Sequence, residues 1–254
     1  MKINVFYTDH KVNQTVTQFL SKSQGYSLEH INNYNSSIKG LFASYGILRG
    51  VEEIIKKQAN YIYMDHGYLN ASSRKFNSNK STIVKLDGHI RILRNELYFN
   101  QNHLNYDKDR FDKLNIDIHD LNKKGNYILL SVPSENTLNF LNLKNWTEET
   151  IEEIKKFTDR EIITHSKFSN TPLAQLLDNA YAFVSCQSTA GFIAITKGIP
   201  AYFTHSSLKK FGDIRNIENR ILNHELLYAA ANSQWKLKEF FSDEFKSYID
   251  NITI

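Results

Sequence analysis

The second half of the chain alternates short apolar runs with amphipathic stretches, and this alternation constrains the fold most strongly. The apolar runs, which we predict to be buried strands, span residues 127–132, 161–164, 182–186 and 201–204. The stretches between them, which we predict to be helices, span residues 147–156, 172–179 and 188–197. Strands that alternate with helices form a parallel sheet with helices on both faces. The pattern therefore predicts an α/β fold.

The first half carries a weaker form of the same pattern. We predict strands at 3–7 and 61–64, a helix at 47–58, a polar loop at 69–80, and one or two strands within 81–93. Residues 105–126 hold few apolar runs and end in Asn122-Lys123-Lys124-Gly125, which is typical of a linker. The sequence therefore predicts two small domains, 1–122 and 123–254.

Composition and charge exclude several classes of protein. Hydrophobic residues make up 41% of the 254 residues and charged residues 23%, as in a globular chain. The net charge of +4 tolerates a nucleotide or nucleic-acid partner but is low for a protein that coats DNA. Cys186 is the single cysteine, and no apolar run approaches the roughly 20 residues that span a bilayer. We expect a cytoplasmic protein with no membrane span.

The strongest candidate site lies in Ser185-Cys186-Gln187-Ser188-Thr189-Ala190-Gly191, where a predicted strand runs into a predicted helix. Ligands of parallel sheets bind beyond the carboxyl ends of strands, and the free N–H groups of a helix start attract phosphate. We expect Ser185, Ser188, Thr189 and Ala190 to bind phosphate, with Lys167 after the strand at 161–164. A plain capped helix is the alternative.

A second candidate is Asp65-His66-Gly67-Tyr68, which ends the predicted strand at 61–64. Asp65 or His66 could take a proton from an attacking hydroxyl, and Gly67 would let a ligand approach the backbone. Strand alternation predicts that only one of the two side chains faces the ligand, and we favour Asp65. An Asx turn at Asp65 is the alternative.

Further candidates follow the other strands of the first half. Asp9-His10 offers the same acid–base chemistry as Asp65-His66. The remaining substrate-binding candidates, besides Gly67 and Tyr68, are Ser44, Tyr45, Arg49, Arg91 and Arg94. A solvated surface charge is the alternative for each arginine.

Several known motifs are missing from the sequence. It contains no P-loop, no dinucleotide-binding glycine motif, no nucleophile elbow and no HExxH zinc motif. Asp107-Lys108-Asp109 has the form of a DxD metal motif but lies in a polar run, so we interpret it as solvated charge. We assign no metal ligands.

Six segments together resemble a family of short glycosyltransferase-like proteins found in phages and some bacteria. The segments are residues 43–50, 63–68, 158–163, 185–201, 213–218 and 233–237. The second half also resembles the donor-binding half of capsule, Kdo and sialic-acid transferases with the GT-B fold.

The resemblance implies two Rossmann-like halves with parallel sheets that face each other across a cleft. Residues 1–122 would bind the acceptor and residues 123–254 a nucleotide-sugar donor, which we expect to be UDP-linked. The last helix, near 234–249, would cross back to the first half. By this resemblance the chain is a phage-type glycosyltransferase.

Three readings of the function remain open at this point. The first acceptor is a hydroxymethylated pyrimidine of phage DNA, flipped out of the duplex and held by Arg74, Lys75 and Lys80 or by residues 89–94. The second acceptor is a surface polysaccharide or lipid-linked glycan. The third reading is a non-catalytic module that binds nucleotide or nucleic acid.

Overall fold

Three separate sheets carry the strands in the computed structural model, which describes residues 3–58, 60–77, 80–83 and 85–253, with backbone only for 74–83. The chain divides into two units. The first, here the six-stranded unit, comprises Met1–Lys75, Ser81–Leu104 and Ser233–Ile254. The second, here the four-stranded unit, comprises Phe76–Lys80 and Asn105–Asn232.

The described elements follow one another along the chain as strands and mostly short helices. The strands are β1 (Ile3–Tyr7), β2 (Ser27–His30), β3 (Leu41–Tyr45), β4 (Tyr61–His66), β5 (Arg74–Asn77), β6 (Lys80–Ile83), β7 (His89–Arg94), β8 (Tyr127–Val132), β9 (Ile162–Ser166), β10 (Ala180–Ser185), β11 (Ala201–Phe203) and β12 (Gln234–Lys236). The α-helices are α1 (Lys11–Gln24), α2 (Val51–Lys57), α3 (Asp109–Asp112), α4 (Glu135–Leu141), α5 (Trp146–Lys155), α6 (Leu173–Leu177), α7 (Ala190–Thr196), α8 (Ser206–Lys209), α9 (His224–Asn232) and α10 (Asp243–Thr253). The 3₁₀ helices are Ile31–Asn33, Ile214–Asn219 and Leu237–Phe241.

The six-stranded unit has the strand order β12-β7-β4-β3-β1-β2. Strands β2, β1, β3 and β4 are parallel, whereas β7 is antiparallel to β4 and to β12. The sheet is therefore parallel over four strands and antiparallel at β7 and β12, because the chain reverses after β4 instead of crossing over by a helix. Strand β1 lies between β2 and β3, so the winding of the chain changes direction between β1 and β3.

The four-stranded unit has the strand order β11-β10-β8-β9, and all its strands are parallel. Here β8 lies between β9 and β10, so the winding changes direction between β8 and β10. Ligands of such sheets bind beyond the carboxyl ends of the strands at this switch point. The expected α/β class, with two Rossmann-like units that each carry a sheet, is confirmed.

Buried apolar side chains of both chain ends share the core of the six-stranded unit. Val16 and Leu20 of α1 pack in one cluster with Trp235, Phe240 and Phe245 from the last 22 residues of the chain. The expected last helix near 234–249 is instead a strand, a 3₁₀ turn and then α10. Aromatic residues in this segment fill the core without one continuous helix.

Two local predictions in the first half differ from the structure. The helix expected from residue 47 begins at Val51, because Gly46, Arg49 and Gly50 have φ values of +80°, +64° and +92°, outside the helical region. The expected loop at 69–80 contains β5 and the start of β6. A two-stranded ribbon needs no apolar face, so its polar sequence gave no strand signal. The side chains of Arg74, Lys75 and Lys80 lie outside the described residues.

Candidate functional site

Asn13 joins the loops at the switch point of the six-stranded unit. Its Oδ1 accepts a hydrogen bond from the Thr8 N–H at 2.8 Å, and its Nδ2 donates to the Tyr45 carbonyl at 2.7 Å. The Ser44 hydroxyl donates to the Phe6 carbonyl at 2.8 Å, so it ties β3 to β1. These bonds fix the ends of β1 and β3 against each other. The sequence pattern did not single out Asn13, since the first turn of α1 was not predicted.

His10 and Arg49 follow these two strands and interact electrostatically. His10 is the residue before α1, and burial together with the Arg49 charge lowers the pKa of its imidazole from 6.5. A neutral imidazole can accept a proton at pH 7. Asp9 is 92% exposed, and its Oδ1 lies 3.2 Å from His30 Nε2. The switch point therefore holds a neutral proton acceptor near a fixed positive charge.

Tyr45 and His66 form a second polar pair on neighbouring strands. The Tyr45 hydroxyl lies 3.0 Å from His66 Nε2. His66 Nδ1 is buried and has no hydrogen-bond partner among the described residues. The Asp65 side chain lies on the face of β4 opposite to that of His66, the same face as Tyr63, because side chains alternate along a strand. Only one of Asp65 and His66 can therefore face a given ligand.

Asp65 is occupied by three hydrogen-bond donors. Its Oδ2 accepts from the Tyr63 hydroxyl at 2.8 Å and from Arg91 Nη2 at 3.1 Å, and its Oδ1 accepts from the His66 N–H at 2.8 Å. Burial lowers the pKa of Arg91, but the Asp65 carboxylate and the Tyr63 and Tyr68 hydroxyls outweigh it and raise that pKa overall. Both oxygens of the Asp65 carboxylate are therefore already engaged within the protein.

Gly67 and Tyr68 are held in the interior by Gln234. The Gln234 side chain accepts hydrogen bonds from the N–H groups of Tyr68 and Leu69, at 2.8 and 3.0 Å. A Cβ on Gly67 would come within 2.8 Å of Gln234 Oε1 and of His89 Cβ. Gly67 is therefore needed for packing against β7 and β12, a constraint that the sequence analysis did not consider when it linked this glycine to ligand approach.

Arg94 lies far from Asp65 along the same pair of strands. In the register of β4 and β7, Arg91 is opposite Asp65, whereas Arg94 is opposite Ile62. Three residues along a strand span about 10 Å. Arg94 Nη2 donates to Asn60 Oδ1 at 3.2 Å, at the amino end of β4. The structure therefore brings Arg91 to the Asp65 carboxylate and leaves Arg94 near the amino end of β4.

In the four-stranded unit, the turn after β10 closes on its own side chains. Ser188 N–H donates to Ser185 Oγ, and Ala190 N–H donates to Ser188 Oγ, each at 3.2 Å. Helix α7 begins at Ala190, two residues later than expected. A Cβ on Gly191 would come within 2.6 Å of the Phe203 ring. The hydroxyls of Ser188 and Thr189 remain half-buried at the switch point.

Lys167 is exposed beyond the end of β9, away from that turn. Strand β9 is the edge strand, and β8 separates it from β10, a distance of about 10 Å at the usual strand spacing. Lys167 Nζ lies 5.8 Å from the centre of the Phe168 ring. Within the strand arrangement, Lys167 is therefore two strands from the Ser188 turn.

A cluster around Glu218 accounts for two segments of the family resemblance. Glu218 accepts hydrogen bonds from Thr158, Arg160 and Tyr181, at 2.5, 3.2 and 2.6 Å. The Arg160 guanidinium lies 3.4 Å from the centre of the Tyr181 ring. Tyr181 is near the amino end of β10, whereas ligands of parallel sheets bind at the carboxyl ends of the strands. These residues stabilise the unit, a role that the local sequence pattern does not reveal.

Two findings concern metals and membranes. Across the ranges that the structure describes, no three His, Cys, Asp or Glu side chains gather as they would around a metal ion. No helix in the described ranges is long and apolar enough to cross a bilayer.

Comparison with known proteins gives a weak structural likeness. No protein-family model matches the chain, and the search of curated proteins finds no similar sequence. Among solved structures, the chain is similar to a wall teichoic acid polymerase, TagF, soaked with CDPG. The two are 10% identical, the match covers 99% of this chain and 88% of that one, and the TM-score is 0.25. The function must therefore be argued from the residues themselves.

Proposed function

We propose that the chain is a nucleotide-sugar-dependent glycosyltransferase of the GT-B type. The observation that carries the proposal is the presence of a topological switch point in each of two separate α/β units. One is bordered by hydroxyl side chains at a helix start, and the other by an imidazole, a carboxylate and a guanidinium. The first set suits a diphosphate, and the second suits the activation of a hydroxyl.

The donor diphosphate binds, in this proposal, at the turn after β10 in the four-stranded unit. The hydroxyls of Ser188 and Thr189 provide hydrogen-bond donors for phosphate oxygens, because the N–H groups of Ala190, Gly191 and Phe192 at the start of α7 already donate to Ser188 and Thr189. Ser185 is fully buried, and its Oγ accepts from Ser188 N–H, so it shapes the turn. Lys167 would contribute charge only through movement of its loop. A UDP-linked sugar is the donor we propose.

The acceptor binds in the six-stranded unit, and its hydroxyl loses a proton to a residue there. Asp65 was the base expected from sequence, but its two carboxylate oxygens already accept hydrogen bonds from Tyr63, Arg91 and the His66 N–H. His10 has a lowered pKa and lies at the switch point, so the contacts favour His10 as the base. Asp9, which precedes it in sequence, and Arg49, whose charge acts on it, would orient the acceptor.

The acceptor we propose is a hydroxymethylated pyrimidine in DNA, with a glycan hydroxyl as the competing acceptor. The experiment incubates the protein with a panel of UDP-sugars and three acceptors: DNA with hydroxymethylcytosine, plain DNA, and an oligosaccharide. Mass spectrometry then measures the mass of each acceptor. The added mass of one sugar residue on the modified DNA alone supports the proposal. Added mass on the oligosaccharide moves the acceptor to a glycan, and donor binding without any product contradicts transfer.

A further inference from the structure

A groove beside β11 in the four-stranded unit is lined by basic and amide side chains. Its volume is about 380 Å³, and its polar lining includes Lys209, Lys210, Asp213, Arg215, Asn216 and Asn223. The proposed function uses none of these residues. Asp213 begins the segment 213–218 of the family resemblance, in which only Glu218 has been assigned a role so far.

Charge in the groove is positive on balance. Lys209, Lys210 and Arg215 bring three positive charges, and Asp213 is the one carboxylate among the described residues that line the groove. Lys209 Nζ lies 3.7 Å from Asp213 Oδ2, and the side chains of Lys209 and Arg215 remain 53% and 67% exposed, so both can reach a ligand in the groove. A net charge of +2 matches a phosphate dianion better than a carboxylate.

Asp213 orients Arg215 within this groove. The Asp213 side chain is largely buried and accepts from Arg215 Nε at 3.1 Å and from Arg215 Nη2 at 2.8 Å. Its Oδ1 also accepts from the Arg215 N–H at 3.0 Å, which fixes the backbone at the start of the 3₁₀ helix. A guanidinium that is held in place loses less conformational entropy when it binds a further anion.

The backbone around these side chains is also closely fitted. The Gly212 carbonyl accepts from the Phe203 N–H at 2.9 Å, so the segment runs along the edge of β11. A Cβ on Gly212 would come within 2.2 Å of the Ala201 carbonyl oxygen. Asn223 Nδ2 donates to the Phe211 carbonyl at 3.3 Å, which ties the far wall of the groove to the lysine-bearing turn. The backbone that carries the cationic side chains is therefore held in place by hydrogen bonds and close packing.

We propose that this groove is a second binding site, separate from the donor turn, for a phosphate-bearing ligand. Lys209, Lys210 and Arg215 hold the phosphate oxygens by charge-assisted hydrogen bonds. The amides of Asn216 and Asn223 contact the polar group that carries the phosphate. The phosphate can belong to a small phosphorylated metabolite or to a nucleic-acid backbone.

The test measures binding of pyrophosphate to the full chain by isothermal titration calorimetry. We compare wild type, a groove variant with Lys209→Gln and Lys210→Gln, and a control with Lys123→Gln and Lys124→Gln. The control lysines are also adjacent, exposed and in the same unit, so they match the loss of charge. A charge-assisted hydrogen bond typically contributes enough to change affinity about tenfold. We expect the groove variant to bind pyrophosphate about 100-fold more weakly and the control to bind like wild type.

Two further arms identify the source of the phosphate. Glucose 1-phosphate and a single-stranded oligonucleotide are titrated against the same three proteins, the latter by fluorescence anisotropy. The ligand whose affinity falls in the groove variant, and not in the control, is the source of the phosphate. Arg215→Gln provides a second variant, with an expected loss of about tenfold because it removes one cation. Equal affinity of wild type and both groove variants for all three probes, or no binding by wild type, overturns the proposal. Because the readout is binding, failure of the transferase assay does not affect it.

Discussion

Arg91 lies directly opposite Asp65 in the antiparallel pairing of β7 and β4, and its Nη2 donates to Asp65 Oδ2 at 3.1 Å. The Arg91 side chain is 7% exposed and that of Asp65 is 27% exposed. The carboxylate is therefore the counter-charge of a buried guanidinium. This relationship makes Asp65 a structural residue first, and it shifts the expected proton acceptor toward His10.

Asp65→Asn is expected to destabilise the protein. The amide removes the negative charge and leaves the Arg91 guanidinium buried without a counter-charge, which costs about 3 kcal/mol when one partner of a buried pair is lost. Urea unfolding measures the change in the free energy of unfolding. Asp9→Asn is the matched control, because Asp9 is 92% exposed and its loss should stay within about 0.5 kcal/mol. Equal stability of the two variants would contradict the structural role of Asp65.

His10→Gln is expected to lower kcat by about 10²–10⁴-fold, the usual contribution of a general base. The pH profile provides a sharper readout in the wild-type enzyme. With His10 as the proposed base, activity requires the neutral imidazole and is expected to fall as the pH drops through its pKa, which lies below 6.5. Arg49→Gln removes one cause of that lowered pKa and should move the acid limb to higher pH. An acid limb at the same pH in Arg49→Gln would argue against His10 as the base.

Thr189→Val is expected to weaken donor binding without unfolding the protein. The substitution preserves the branched shape and removes the hydroxyl, so Kd for a UDP-sugar should rise about tenfold. Isothermal titration calorimetry measures Kd, and thermal melting checks the fold. Thr147→Val, on α5 of the same unit, is the control and should bind the donor like wild type. If Thr189→Val binds with unchanged Kd, the diphosphate site is not at the turn after β10.

Gly67→Ala is expected to destabilise the six-stranded unit by about 2 kcal/mol, the usual range for overpacking. The new Cβ would overlap Gln234 Oε1 and His89 Cβ, each within 2.8 Å. Gly25→Ala is the comparison, because no atom lies within 4 Å of its added Cβ and only its φ of +69° is unfavourable. Differential scanning calorimetry should show the larger loss for Gly67. A smaller loss at Gly67 than at Gly25 would contradict the packing role.

The α/β class could be predicted because buried parallel strands are continuous apolar runs. Each predicted strand of the second half overlaps a strand of the four-stranded unit, from β8 to β11. Helix α1 was not predicted, although Val12, Val16, Phe19 and Leu20 have helical spacing. Most of its other residues are polar, and the helix is stabilised by packing against the sheet and the C-terminal segment, which local patterning does not reveal.

The candidate site was less predictable because its geometry depends on register. The sequence placed Asp65 and Arg91 among the candidates, but only the antiparallel pairing of β4 with β7 shows that they neutralise each other. Gln234 lies 165 residues from the Leu69 N–H that it accepts from, a contact that no local pattern encodes. The cluster of Glu218 with Tyr181 and Arg160 likewise joins segments distant in sequence.

Sugar transfer by the protein itself is the central claim, and product mass tests it most directly. Wild type and His10→Gln are incubated with UDP-glucose, UDP-galactose or UDP-N-acetylglucosamine and a hydroxymethylcytosine oligonucleotide, with the oligosaccharide in parallel. The account predicts that wild type adds one sugar residue to a hydroxyl acceptor and that His10→Gln loses this product while retaining its affinity for the donor. An acceptor of unchanged mass with every donor, despite a folded protein that binds UDP-sugar, would contradict the account.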